Sequence, residues 1–114
     1  MELIYKIVPA DLWLQAEETG AFAGAPIDQR DGFIHFSTRG QVRETAAKYF
    51  AGADDLLLIG VDPGKLGEDL RYEVSRGGAL FPHLYAPLDL AAVVFARPLP
   101  LGADGAHCFD GLVP

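Results

Sequence analysis

A chain of 114 residues, half of them apolar, has the size and composition of one folded domain, 1–114, and excludes a disordered or fibrous protein. Nine Lys and Arg against sixteen Asp and Glu give a formal charge of −7, which argues against nucleic acid, because holding its backbone calls for a basic patch that displaces condensed counterions. The lone cysteine, Cys108, rules out a disulfide within the chain, and no apolar run approaches a membrane span; a soluble cytoplasmic protein with no membrane partner is expected.

Residues 3–8 alternate as a first strand. Pro9 and Asp11 then open a helix with Leu12, Trp13 and Ala16 on one face, and Gly20 ends it. Residues 21–32 read as a loop punctuated by Gly24, Pro26 and Gly32. The segment 32–37 reads as a second strand. A helix follows from Thr38, with Gln41 at capping-box spacing and Val42, Ala46, Tyr49 and Phe50 at helical spacing; Gly52 marks its end. Residues 56–61, apolar on both faces, read as a central strand covered on both sides. Asp62-Pro63-Gly64 turns the chain into the alternating strand 70–74, with Leu70, Tyr72 and Val74 expected inward. Residues 75–80 read as a loop, 81–87 as an extended or turned segment between prolines, 91–96 as a last strand, and the tail after about residue 98 as loosely ordered. About five or six strands and two helices that do not alternate strictly make an α+β domain rather than a doubly wound parallel sheet.

Cofactor and metal signals are missing: there is no phosphate-binding glycine loop, no Cys-x-x-Cys and no ligand-spaced pair among His35, His83 and His107, so no metal is expected. Three segments carry polar groups in ordered surroundings. In Asp31-Gly32-Phe33-Ile34-His35-Phe36-Ser37, alternation puts Phe33, His35 and Ser37 on one face, where they suit a sugar, an amide or a phosphate. The plainer alternative is a core histidine bonded to backbone and a helix-capping serine. In Arg71-Tyr72-Glu73, the two charges share a face, either as a solvated ion pair or as a cation for phosphate and a carboxylate for a ribose hydroxyl. In 81–88, His83 and Tyr85 share one side, either as presented polar rings or as part of a packed plug.

These segments, together with Ile4-Tyr5-Lys6-Ile7, Trp13 and Ala16, resemble a small bacterial family known as domain of unknown function nine-five-two, most specifically through Phe81-Pro82-His83-Leu84-Tyr85. The resemblance covers the chain to about Phe95. It implies an ADP-ribosyltransferase-like fold, a split mixed sheet around a cleft that in active members holds NAD. A weaker likeness to the RNA 2'-phosphotransferases, which share that fold, aligns Tyr5-Lys6 with their first cleft strand and Ile34-His35-Phe36-Ser37 with their second; Lys6 stands where the first motif has histidine. The resemblance implies His35 as the cleft-strand histidine with Ser37 beside it, and Glu73 in the place of the catalytic glutamate, with Tyr85 its rival. Lys6 and Arg71 would meet phosphate, and His83 and Tyr85 would complete the cleft.

Three expectations follow. One is an enzyme, or a remnant of one, that binds NAD or an ADP-ribosyl-type nucleotide, with Glu73 and His35 catalytic. The second is a non-catalytic module for a small metabolite or peptide. The third is an RNA 2'-phosphotransferase-like enzyme.

Overall fold

The computed structural model describes residues 2–113. Strand β1 (Ile4–Pro9) runs into helix α1 (Ala10–Thr19), and Gly20, at φ 85°, donates its N–H to the Ala16 carbonyl to close the helix. The stretch expected as loop holds two elements, strand β2 (Ala21–Phe22) and helix α2 (Pro26–Asp31). Strand β3 is only Ile34–His35; the pairing of Ser37 comes as a separate bridge. Helix α3 (Val42–Tyr49) starts later than its capping signal, yet that signal is used: the Gln41 side-chain oxygen accepts from the Thr38 N–H at 3.0 Å. There follow β4 (Leu56–Val61), β5 (Leu70–Val74), β6 (Leu80–Leu84), β7 (Leu88–Asp89) and β8 (Val93–Leu99).

Among the described residues the chain is α+β, with three α-helices and three small sheets ordered β1-β4-β8, β3-β6-β5 and β2-β7. All five ladders run antiparallel, so the parallel pairs that a mixed sheet would bring are not among them. Strand β4 is the middle of its sheet, and its alternation feeds two cores. Ile59 and Val61 join Ile4, Val8, Trp13 and Phe22 on the α1 side. Leu56 and Leu58 join Tyr5, Ile7, Val42 and Ala46 on the α3 side.

Three expectations are corrected. The tail is packed: Leu99, Phe109 and Val113 are buried in the second core, and His107 Nε2 lies 2.7 Å from the Ala53 carbonyl. Edge strand β5 turns Tyr72 and Val74 to solvent, 49% and 68% exposed, because among the described residues its one strand partner is β6. Tyr49, grouped by helical spacing with Val42 and Ala46, is exposed while they are buried, and Phe50 packs on the second core from its edge.

Candidate functional site

The two three-stranded sheets touch at one backbone pair. Tyr5 and Ser37 exchange both N–H···O bonds at 2.8 Å. An antiparallel ladder would next pair Ile7 with His35. It does not, and side chains take over. The His35 N–H donates to Asp28 Oδ1 at 3.1 Å, and the His35 carbonyl accepts from Lys6 Nζ at 2.9 Å. Lys6 and Asp28 thus satisfy the His35 carbonyl and N–H, the two backbone groups that the interrupted ladder leaves on the β3 side.

Asp28 is the hub. Its side chain is fully buried, Oδ2 lies 3.1 Å from Lys6 Nζ, and the same oxygen accepts from the Ala25 N–H at 2.7 Å as the first turn of α2 begins. Gly24 makes room for it: at φ 111°, a Cβ there would fall 2.8 Å from Asp28 Cβ. Burial alone would raise the Asp28 pKa, but the His35 hydrogen bond and the Lys6 charge outweigh it and bring it down to about 2. For Lys6 the balance goes the other way: burial pushes its pKa below the usual lysine range, with Asp28 offsetting part of the shift.

Beyond this hub one sheet face collects the polar residues. His35 holds Asp28 Oδ1 at Nδ1 (2.6 Å) and Asp31 Oδ2 at Nε2 (2.9 Å), so both ring nitrogens meet carboxylates. Across the β3–β6 ladder it faces His83, ring to ring at 5.6 Å. Phe33 stacks on His83 at 4.1 Å. His83 Nδ1 lies 2.8 Å from Glu73 Oε1, and the Tyr85 hydroxyl donates to that same oxygen at 2.6 Å. The Tyr85 and His83 bonds hold the Glu73 carboxyl below its usual range, and the carboxylate in turn raises the Tyr85 phenol. The Arg71 guanidinium lies 5.0 Å over the Tyr85 ring.

Where the sheets part lies a cavity of about 580 Å³, within the roughly 300–1,000 Å³ of ligand sites. Lys6, His35, Ser37 and His83 line it, with Tyr49 and Phe81 among its aromatic walls. The structure therefore brings four of the seven sequence-picked residues to one opening. Arg71, Glu73 and Tyr85 stand on the same sheet face but outside its lining. The Ser37 hydroxyl is already engaged with Thr45 Oγ1 at 2.8 Å. A slightly larger hollow of about 650 Å³, between α3 and residues 102–110, contains neither carboxylate–imidazole pair. The chemistry is concentrated at the smaller one. Among the described residues, no cluster of three or more His, Cys, Asp or Glu is placed to hold a metal ion, and no helix is long and apolar enough to cross a membrane.

Sequence reasoning missed Asp28, Asp31 and Thr45. The signal for Asp28 was present: Pro26 at a first helical position with an acid two residues on marks a helix start.

Two crystal structures of protein CC0527 from Caulobacter crescentus share this fold. The first is 48% identical with a TM-score of 0.91, and a double mutant of the same protein is 47% identical with a TM-score of 0.90; each match covers 95% of both chains. The solution NMR structure of CC0527 is 48% identical with a TM-score of 0.85, covering 94% of this chain and 92% of that one. No curated protein matches. The family model described as "Protein of unknown function (DUF952)" matches residues 7–96, which take in Asp28, His35, Glu73 and His83 but not Tyr5 and Lys6, and the chain belongs to that family.

Proposed function

We propose that the cavity binds a nucleotide of the NAD or ADP-ribosyl type. The observation that carries this reading is the convergence of Lys6, His35, Ser37 and His83 on one opening of about 580 Å³ with aromatic walls, which suits a planar base or amide joined to a sugar. The ADP-ribosyltransferase-like arrangement of a split sheet around a cleft fits the single Tyr5–Ser37 bridge beyond which the strands diverge. In this reading Lys6 is a structural cation first, since Asp28 and the His35 carbonyl hold its ammonium. Glu73 acts through His83 rather than on the ligand directly, because it lies outside the cavity lining.

The test is a titration of the protein with NAD and with ADP-ribose, followed by backbone amide shifts. Shifts gathered at Lys6, His35, Ser37, Phe81 and His83 support the reading. A flat response to both nucleotides refutes it.

One observation favours a non-catalytic binding module. Lys6, His35 and Ser37 all spend polar atoms on internal partners, so the cavity is built more for holding than for proton traffic at those three. Binding without turnover, unchanged in Glu73→Gln, would select that reading. The RNA 2'-phosphotransferase-like reading has the least support, because Lys6 and Arg30, cations on the cavity, each face a carboxylate.

A further inference from the structure

His83 lines the cavity with one of its two ring nitrogens committed to Glu73. Its Nδ1 faces Glu73 Oε1, and no described residue bonds its Nε2. The ring is buried, yet the one sealed side-chain nitrogen or oxygen without a partner among the described residues is Trp13 Nε1, so His83 Nε2 keeps contact with open space. That space is the cavity, which His83 lines and Glu73 does not.

The donor roles follow from simple inventory. An ionised Glu73 accepts only, so His83 Nδ1 must carry the hydrogen, and in the neutral ring Nε2 is then a lone-pair acceptor. Tyr85 donates to the same Glu73 oxygen and holds the carboxylate in place. Ser37 reads likewise. Thr45 donates its hydroxyl to the Gln41 carbonyl, so Ser37 donates to Thr45 and leaves its own oxygen as an acceptor. The Phe36 N–H on the Pro82 carbonyl extends the β3–β6 register toward Ser37, which makes Ser37 and His83 diagonal neighbours on one face, roughly 7–8 Å apart. This wall of the cavity presents acceptors. A phosphate, itself an acceptor, finds nothing to bond there; a sugar hydroxyl does.

We infer that His83 Nε2 is the acceptor for a hydroxyl of a sugar-type ligand, with Glu73 as the positioning residue that fixes its tautomer. This rests on the nucleotide reading for the full ligand and adds which part of it meets the sheet.

The experiment begins without any ligand. Long-range proton–nitrogen NMR on the labelled protein, at a pH where the histidines are neutral, reads each tautomer. His83 is expected with hydrogen on Nδ1 and an unprotonated nitrogen shift at Nε2, and Glu73→Gln is expected to mix the two tautomers. Hydrogen on Nε2 in the parent protein overturns the proposal, and an unaltered tautomer in Glu73→Gln overturns the role of Glu73. D-ribose at high concentration, ADP-ribose and inorganic pyrophosphate are then added separately. A shift of His83 Nε2 with either sugar-bearing probe and none with pyrophosphate is expected. An Nε2 shift with pyrophosphate, or none with both sugars, overturns it. A response to D-ribose but not to ADP-ribose keeps the acceptor and rejects the nucleotide reading.

Discussion

Replacing Asp28 by Asn removes one charge and almost no volume, and it turns an NH2 toward one set of the donors that the two carboxylate oxygens now accept from. Lys6 would then lie buried beside a neutral amide, its Nζ still near the His35 carbonyl. Breaking one side of a buried ion pair costs about 3–5 kcal/mol. Lys6 has a way out, because taking its proton off at pH 7 from an ordinary lysine costs about 4–5 kcal/mol, and this caps the penalty. A loss of about 3–4 kcal/mol is expected, a large part of the roughly 5–15 kcal/mol that holds a domain together. Urea denaturation of parent and variant measures it directly. The pH dependence carries a second signature. With the Lys6 pKa depressed in the folded variant, the unfolded chain binds more protons above neutrality, so the variant should gain stability relative to the parent from pH 7 to 10. Adding Lys6→Met should recover part of the loss, since the pair is then gone altogether. A loss under about 1 kcal/mol, or strict additivity with Lys6→Met, would mean that the hub is an ordinary surface-like pair and the account of the split is wrong.

Four further outcomes are expected. The Asp28 pKa near 2, lowered from 3.8, means the parent loses about 2 kcal/mol as pH falls from the unfolded value through the folded one, and acid titration of Asp28→Asn should lack that step. Gly60 lies in β4 with the Phe95 ring against the place where a Cβ would stand, so Gly60→Ala should cost about 1–3 kcal/mol in urea, and Phe95→Leu should relieve it. Phe109→Ala should lower stability by about 3 kcal/mol, which a loosely ordered tail would not do. Because Glu73 raises the Tyr85 phenol, Glu73→Gln should move the Tyr85 ring titration to lower pH, read from its NMR resonances; an unmoved titration would deny the bond.

The fold was legible wherever a period repeated long enough. The six-residue β1 and β4 and the face of α1 carried their own patterns, and β4 proved central, as its two apolar faces require. Short elements were not legible. The two-residue β2 has no period to show, and six-residue α2 offers fewer than two turns, so Gly24 and Gly32 on either side read as loop punctuation. The β5 misreading has a different cause. Alternation says that two faces differ, not which is covered, and β5 faces its polar side, Arg71 and Glu73, toward the aromatic cluster while Tyr72 and Val74 meet solvent. The tail failed on composition, because its glycines and Pro114 say nothing of where Phe109 and Val113 land.

The site shows the same division between what lies along the strand and what arrives from elsewhere. Phe33, His35, His83 and Tyr85 could be grouped by alternation within two segments, and the β3–β6 ladder then set them side by side. What alternation could not supply is the reason His35 and His83 have different chemistry. Both hold a carboxylate at Nδ1, yet Asp31 on α2 claims the second nitrogen of His35, while no described residue claims that of His83. The α2 helix therefore does two things at once: through Asp28 it satisfies the interrupted ladder that opens the cavity, and through Asp31 it closes one of the two imidazoles facing that cavity. Removing the second of these without the first, by Asp31→Ala, should leave the split intact and free His35 Nε2. The result would be a second imidazole able to meet a ligand in the same opening, visible as a changed His35 nitrogen shift with the Lys6 and Asp28 amides unmoved. Movement of those amides would show that the two tasks of α2 cannot be separated.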